Sequence, residues 1–163
     1  MSRRSAAELD WLLPRLGTDL ALGFTGPAGY WEDADLRSAR SSRGTPRGID
    51  VATVARLDAA EQLLVNRLMT QRGELASLGH ADYGSAHHAL IGEPNVERTR
   101  NLIKLYVLQA LRDEPRIERV ESCRVYAPHD PPRDQVRIEL VVRLIDEEQP
   151  LNFVVPFSLE AGS

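Results

Sequence analysis

Apolar residues recur at helical spacing from Asn95 to Asp113, which is the strongest pattern in the chain. One face carries them at intervals of three and four residues: Thr99, Ile103, Tyr106, Val107 and Ala110. This spacing predicts a long helix covered by other elements. Asn95 is expected to cap its first turn, and Pro115 to end it near Asp113.

Beyond the proline, the pattern changes from helical spacing to alternation. Strands are expected over residues 121–127, 135–145 and 151–157, joined by proline- and aspartate-rich connections as antiparallel hairpins. Pro156 cannot donate to a ladder, so the last strand is expected at an edge. The predicted fold class is α+β, with long helices packed on one face of a small, mostly antiparallel sheet.

The first half of the chain has weaker signals. Residues 6–13 favour one or two helical turns, 19–25 a strand, and 38–48 a mobile, arginine-rich connector. From Ile49 a helix is expected to run to Gly73, with Asp50 as its cap and a second start at Asp58. We therefore divide the chain into an N-terminal extension, 1–48, and an α+β domain, 49–163.

Composition narrows the function classes. The 163 residues are 42% hydrophobic and 27% charged, with a net charge of −4, which disfavours a nucleic-acid-binding module. No window approaches a membrane span, and no apolar leader is recognised. The single cysteine, Cys123, lies in a predicted strand and indicates a buried thiol and a reducing compartment, consistent with synthesis in the cytoplasm.

No catalytic or metal-binding motif is found. The adjacent His87 and His88 would point about 100° apart on a helix, which disfavours a shared metal. The glutamates that could serve acid catalysis are those expected at helix ends and in loops: Glu74, Glu93, Glu97 and Glu114. None has the paired spacing that a glycosidase needs. We expect no catalytic residue, no metal and no cofactor.

The Glu114-Pro115-Arg116 corner lies between the long helix and the sheet. A charged pair fixed by a proline can bind a partner at low entropic cost. The alternative is a helix stop with two solvated charges. Spacing alone favours the alternative.

Three segments together resemble the baseplate-wedge and sheath-initiator family of contractile phage tails, type VI secretion baseplates and extracellular contractile injection systems. They are NRLMTQRGELASLGHADYGS (66–85), LIGEPNVERTR (90–100) with the EPRI corner (114–117), and LNFVVPFSLE (151–160). The ordered set is more specific than the Glu-Pro-Arg tripeptide alone. It covers roughly residues 55–160.

The resemblance implies a non-enzymatic baseplate subunit, present in six copies around a central spike or hub. It implies that Glu114, Pro115 and Arg116 bind wedge subunits, and that the final strand, with Leu151, Phe153 and Val155, accepts a strand from the first sheath ring. An exposed corner and an open sheet edge suit those contacts. Some members of the family carry a lysozyme-like label, so a peptidoglycan glycosidase is the alternative.

Overall fold

The computed structural model describes residues 18–25, 33–40, 48–129, 133–145 and 147–160. Within these residues the chain forms two α-helices, α1 (Leu57–Met69) and α2 (Glu97–Arg112). The strands in chain order are β1 (Thr18–Leu20), β2 (Leu22–Thr25), β3 (Asp33–Leu36), β4 (Ser38–Arg40), β5 (Ile49–Val51), β6 (Thr53–Ala55), β7 (Ile117–Tyr126), β8 (Gln135–Leu144) and β9 (Leu151–Ser158). The predicted helical turns at 6–13 lie outside the described residues.

Strands β7, β8 and β9 form an antiparallel sheet in that order. Leu140 in the central strand faces Cys123 on one side and Phe153 on the other, and all three side chains are buried. Alternating apolar residues build one buried face, which joins the apolar side chains of α1 and α2 in a single core. The α+β class, the three strands and their two hairpins are confirmed.

Helix α2 buries the predicted face, including Ile103 and Val107, and ends at Arg112 as expected. The predicted N-cap is wrong. The helix begins at Glu97, and the Asn95 side-chain amide instead donates to the carbonyl oxygens of Arg133 and Gln135. Asn95 therefore ties the start of the helix to the start of β8. Neither α1 nor α2 is long and apolar enough to cross a membrane.

Residues 49–55 form β5 and β6, so the helix predicted from Ile49 is wrong at its start. Ile49, Val51, Thr53 and Val54 are β-branched and restrict the χ1 angle, which favours strands over helices. The helix begins at Leu57, beside the second predicted start. The connector at 38–48 also differs from the expectation, because Ser38–Arg40 is β4 and pairs with β5. Residues 41–47 lie outside the described residues.

The N-terminal strands form three two-stranded ribbons: β1 with β6, β2 with β3, and β4 with β5. They meet at Ala21, Arg37 and Ala52, whose backbones form a closed ring of three hydrogen bonds. Ala21 N–H donates to Ala52, Ala52 N–H to Arg37, and Arg37 N–H to Ala21, each at 2.8 Å. We call this unit the three-ribbon module. The strand predicted over 19–25 is confirmed, with a break at Ala21.

The side chain of Gln62 on α1 ties the three-ribbon module to the domain. Gln62 accepts from the N–H of Leu22 at 2.8 Å and donates to the carbonyl of Leu20 at 2.8 Å. Its carboxamide thus makes the hydrogen bonds to the residues on either side of Ala21 that a neighbouring strand would make. Gln62 is only 7% exposed, and both ends of its amide are satisfied, as burial of a polar group requires.

Candidate partner-binding site

The corner after α2 is a tight turn whose direction is set by Pro115. The N–H of Glu114 donates to Leu111 at the helix end, and its carbonyl accepts from the N–H of Ile117. Pro115 occupies the second position of this four-residue turn, where its fixed φ is favourable. Arg116 then lies next to the start of β7.

The structure does not place Glu114 in solvent, which is where both an exposed corner and a helix stop with two solvated charges would put it. The residue is only 4% exposed. Its Oε2 lies 3.3 Å from Nη2 of Arg67, while Oε1 lies 3.3 Å from the backbone nitrogen of Arg116 and 3.9 Å from its Nε. A carboxylate leaves water only where cations and donors replace its hydration, and here two arginines do so. The exposed-corner expectation is wrong for Glu114.

Arg67 is the residue of this cluster that sequence reasoning missed. It lies in the last turn of α1, and its Nη1 is 3.4 Å from the carbonyl oxygen of Ala110 in α2. Its guanidinium also stacks 4.7 Å above the ring of Tyr83, a cation–π distance. Arg67 therefore links both helices, the loop around Tyr83 and the corner. Burial is the main cause of the raised pKa of Tyr83.

The cluster contains two guanidinium groups and one carboxylate. The side chains of Arg67 and Arg116 are 12% and 18% exposed, so both charges are largely removed from water. Their Nε atoms are buried and have no hydrogen-bond partner within the described structure. The corner thus has a local excess of positive charge and some unused donor capacity.

The predicted sheath-binding residues lie on β9, at the opposite edge of the sheet from β7. Leu151, Phe153 and Val155 of β9 are buried in the core, so their side chains are not available to a partner. β8 separates β9 from β7 and from the corner, so the two predicted groups do not form one site.

The backbone of β9 remains a candidate binding element. The N–H of Leu159 donates to Asp134, and the register pairs Phe157 with Val136 and Val155 with Ile138. Because backbone groups alternate direction along a strand, the odd-numbered amides face β8. The amides of Asn152 and Val154 therefore face the open edge, where Pro156 lacks one. Within the described residues, β9 pairs only with β8.

The Tyr83-Gly84-Ser85 turn is built for close packing. Gly84 has a φ of 96°, and a Cβ there would lie 2.6 Å from the carbonyl oxygen of Thr70. Ser85 N–H donates to that same oxygen at 2.9 Å. The turn is thus pinned against the end of α1, which brings Tyr83 to Arg67.

His87 and His88 pack together against Phe157. Nδ1 of His87 lies 2.7 Å from the Ser85 hydroxyl, and its ring packs edge-on against Phe157. Burial, with a smaller contribution from His88, lowers the pKa of His87 to about 3, so it is neutral at physiological pH. No group of three possible metal ligands occurs in the part of the chain that the structure describes.

A depression beside the corner is lined in part by two carboxylates, Asp82 and Asp113. Each is held by an arginine: Arg72 lies 2.8 Å from Asp82, and Arg112 lies 3.2 Å from Asp113. All four side chains are at least half exposed. Neither carboxylate is enclosed by apolar side chains.

No protein-family model and no curated protein matches the chain. Among solved structures, it is similar to a crystal structure from Geobacter sulfurreducens, provisionally described as a tail lysozyme. The two are 28% identical, with a TM-score of 0.52. The match covers 64% of this chain and 95% of the other. This likeness relates the chain to phage-tail proteins.

Proposed function

We propose that this protein is a structural baseplate subunit of a contractile injection system. In this role it joins wedge subunits around the central spike to the first ring of the sheath, in six copies per baseplate, and initiates sheath assembly. The observation that carries the proposal is the open edge of β9, with the amides of Asn152 and Val154 directed outward from a firmly packed sheet. The similarity to a tail protein supports a role in a tail-like particle.

Strand addition is the contact that this edge allows. An incoming strand gains main-chain hydrogen bonds at Asn152 and Val154, and its register is set by the exposed side chains of the same two residues. The buried side chains of β9 hold the strand in place against the core. Its conformation is fixed before binding, so little entropy is lost when the partner docks.

The corner is the proposed contact with wedge subunits, with roles that differ from residue to residue. Glu114 positions Arg116 from within the cluster, and Pro115 fixes the turn. Arg116 keeps 18% of its side-chain surface exposed beside an excess of positive charge. An acidic group on the wedge subunit fits this surface.

The experiment compares Val154→Pro with Val154→Thr. Proline removes one outward amide and adds a ring at the open edge, whereas threonine keeps the amide and the β-branched shape. Each lost backbone hydrogen bond costs about 0.5–1.5 kcal/mol, repeated in every copy. We expect Val154→Pro to abolish sheathed particles by electron microscopy, and Val154→Thr to retain them. Both isolated proteins should unfold within a few degrees of wild type, because the Val154 amide does not bond to β8. Normal sheaths with Val154→Pro would disprove strand addition at this edge.

The second candidate function is a peptidoglycan glycosidase, which the description of the Geobacter sulfurreducens protein favours. Against it, the carboxylates of the depression beside the corner are exposed and bound by arginines, and Glu114 is buried between two. Addition of purified protein to a cell-wall suspension tests this directly. We expect no clearing. Clearing that Asp82→Asn or Asp113→Asn removes in the folded protein would establish the enzyme instead.

A further inference from the structure

The three-ribbon module has one apolar and one acidic face. Side chains alternate along each strand, and the registers place Leu20 beside Thr53, Leu22 beside Leu36, Phe24 beside Ala34, Ser38 beside Val51 and Arg40 beside Ile49. The larger apolar residues therefore share one face: Leu20, Leu22, Phe24, Leu36, Ile49 and Val51. The exposed aspartates at positions 19, 35 and 50 lie on the reverse face.

Only part of the apolar face is covered by the domain. Phe24 packs against the main core, and Leu22 is half-buried. The other large side chains remain exposed: Leu20 by 48%, Leu36 by 56%, Val51 by 41% and Ile49 by 81%. Several large apolar side chains exposed on one face mark an interaction site.

The conformation of the module is fixed by hydrogen bonds. Ribbons of three or four residue pairs are marginally stable in isolation. Here the ring of hydrogen bonds at Ala21, Arg37 and Ala52 joins them, and Gln62 fixes the ring to α1. Arg37 also lies across Gly23 on the reverse face, 3.3 Å from where a Cβ would stand. The apolar face is therefore presented in one orientation.

Charge indicates the kind of partner. Arg40, opposite Ile49, is exposed, and it is the one charged residue that the alternation places on the apolar face of the described ribbons. A second copy of the chain is not a suitable partner, because its apolar face would place another Arg40 against this one. Among the described residues, its acidic face carries alanines and the partly buried Val54, not a group of large exposed apolar side chains.

We propose that the apolar face of the three-ribbon module docks a segment of a different subunit, one whose apolar side chains are flanked by carboxylates. The apolar side chains cover Leu36, Ile49 and Val51, and a carboxylate pairs with Arg40. This surface is separate from β9 and the Glu114 corner, and the proposal stands whichever assembly contains the chain.

The test places a photo-crosslinker in the full-length protein, as Ile49→p-benzoylphenylalanine, within the assembly isolated from its native cells. The control carries the same group at Leu78, which is 70% exposed outside the module. After illumination, mass spectrometry identifies the crosslinked peptide. We expect a peptide of another subunit, with Asp or Glu beside apolar residues, at least fivefold enriched over the Leu78 control.

Charge variants in the same crosslinked background complete the test. Arg40→Glu should lower the yield at Ile49 at least fivefold, whereas Arg40→Lys should keep it near the starting level. A crosslink to a second copy or within the same chain would overturn the proposal, as would the absence of a product or a yield unaffected by Arg40→Glu. Loss of strand addition at β9 with the Ile49 crosslink retained would refute the sheath contact alone.

Discussion

The cluster at the corner gives the sharpest stability prediction. Glu114→Gln keeps the shape of the side chain and removes its charge, which leaves two guanidinium groups at 12% and 18% exposure without a carboxylate. Removal of one partner from a buried ion pair costs about 3–5 kcal/mol. Because both arginines retain some water, we take the lower end, about 3 kcal/mol. For a chain of this length that corresponds to a fall of about 6–12 °C in the unfolding midpoint.

The variants at the two arginines should differ. The guanidinium of Arg67 lies closer to the Glu114 carboxylate than that of Arg116 does, at 3.3 against 3.9 Å, and it also contacts Ala110 and Tyr83. Arg67→Met should therefore destabilise the protein more than Arg116→Met. Since Glu114 and Arg67 are direct partners, the double variant should lose less than the sum of the two single losses.

Urea unfolding followed by circular dichroism provides the measurement. Glu118→Gln is the matched control, because it removes the same charge from an exposed position of β7. It should change the free energy of unfolding by no more than about 0.5 kcal/mol. If Glu114→Gln behaves like Glu118→Gln, the buried pair contributes nothing to folding. If the losses at Glu114 and Arg67 simply add, the two groups do not act on each other.

Three further predictions concern the packed loop, the histidines and the thiol. Gly84→Ala should lower the unfolding midpoint well below that of Gly79→Ala. Both glycines have positive φ, but of the two only Gly84 has a backbone oxygen 2.6 Å from the position of an added Cβ. Equal midpoints would show that the loop around Gly84 moves to make room. Burial lowers the pKa of His87 from its ordinary 6.5 to about 3 in the folded protein. Between these two pH values the unfolded chain binds a proton at His87 and the folded protein does not. The free energy of unfolding should therefore fall as the pH drops from 6.5 towards 3. His87→Gln should show a shallower fall by urea titration at each pH, while exposed His80→Gln should follow wild type; parallel curves for all three would contradict this. Burial raises the pKa of Cys123 to about 11, so a thiol reagent at pH 8 should react only in urea, and rapid reaction of the native protein would refute it.

Periodicity predicted the long helix and the sheet because both signals are local. Ile103 and Val107 repeat at helical spacing, and β8 alternates through ten residues, so one window of sequence contains the whole pattern. The end of the helix at Arg112 followed from Pro115. Such features depend on residues only a few positions apart, which is why they could be read without a structure.

Long-range partners explain what sequence could not predict. Glu114 was recognised as a feature of the corner, but its burial depends on Arg67, 47 positions earlier. The ribbons at 49–55 were missed because each strand has three residues and is fixed by pairing with distant segments. Cap chemistry at Asn95 failed similarly, since its Oδ1 accepts from Arg100 and its NH2 donates to Arg133 and Gln135, 38 and 40 positions later.

The hydrogen bonds of Gln62 also limit when the three-ribbon module can fold during synthesis. Residues 18–40 leave the ribosome before Gln62, which lies 40 positions after Leu22 and 42 after Leu20. The ring at Ala21, Arg37 and Ala52 cannot close until β6 has been made, and it cannot attach until α1 exists. Leu20 and Leu22 therefore stay without this contact until Gln62 has been made. In the interval the apolar strands of residues 18–40 are exposed in the nascent chain, where they are most vulnerable to chaperone capture and to aggregation.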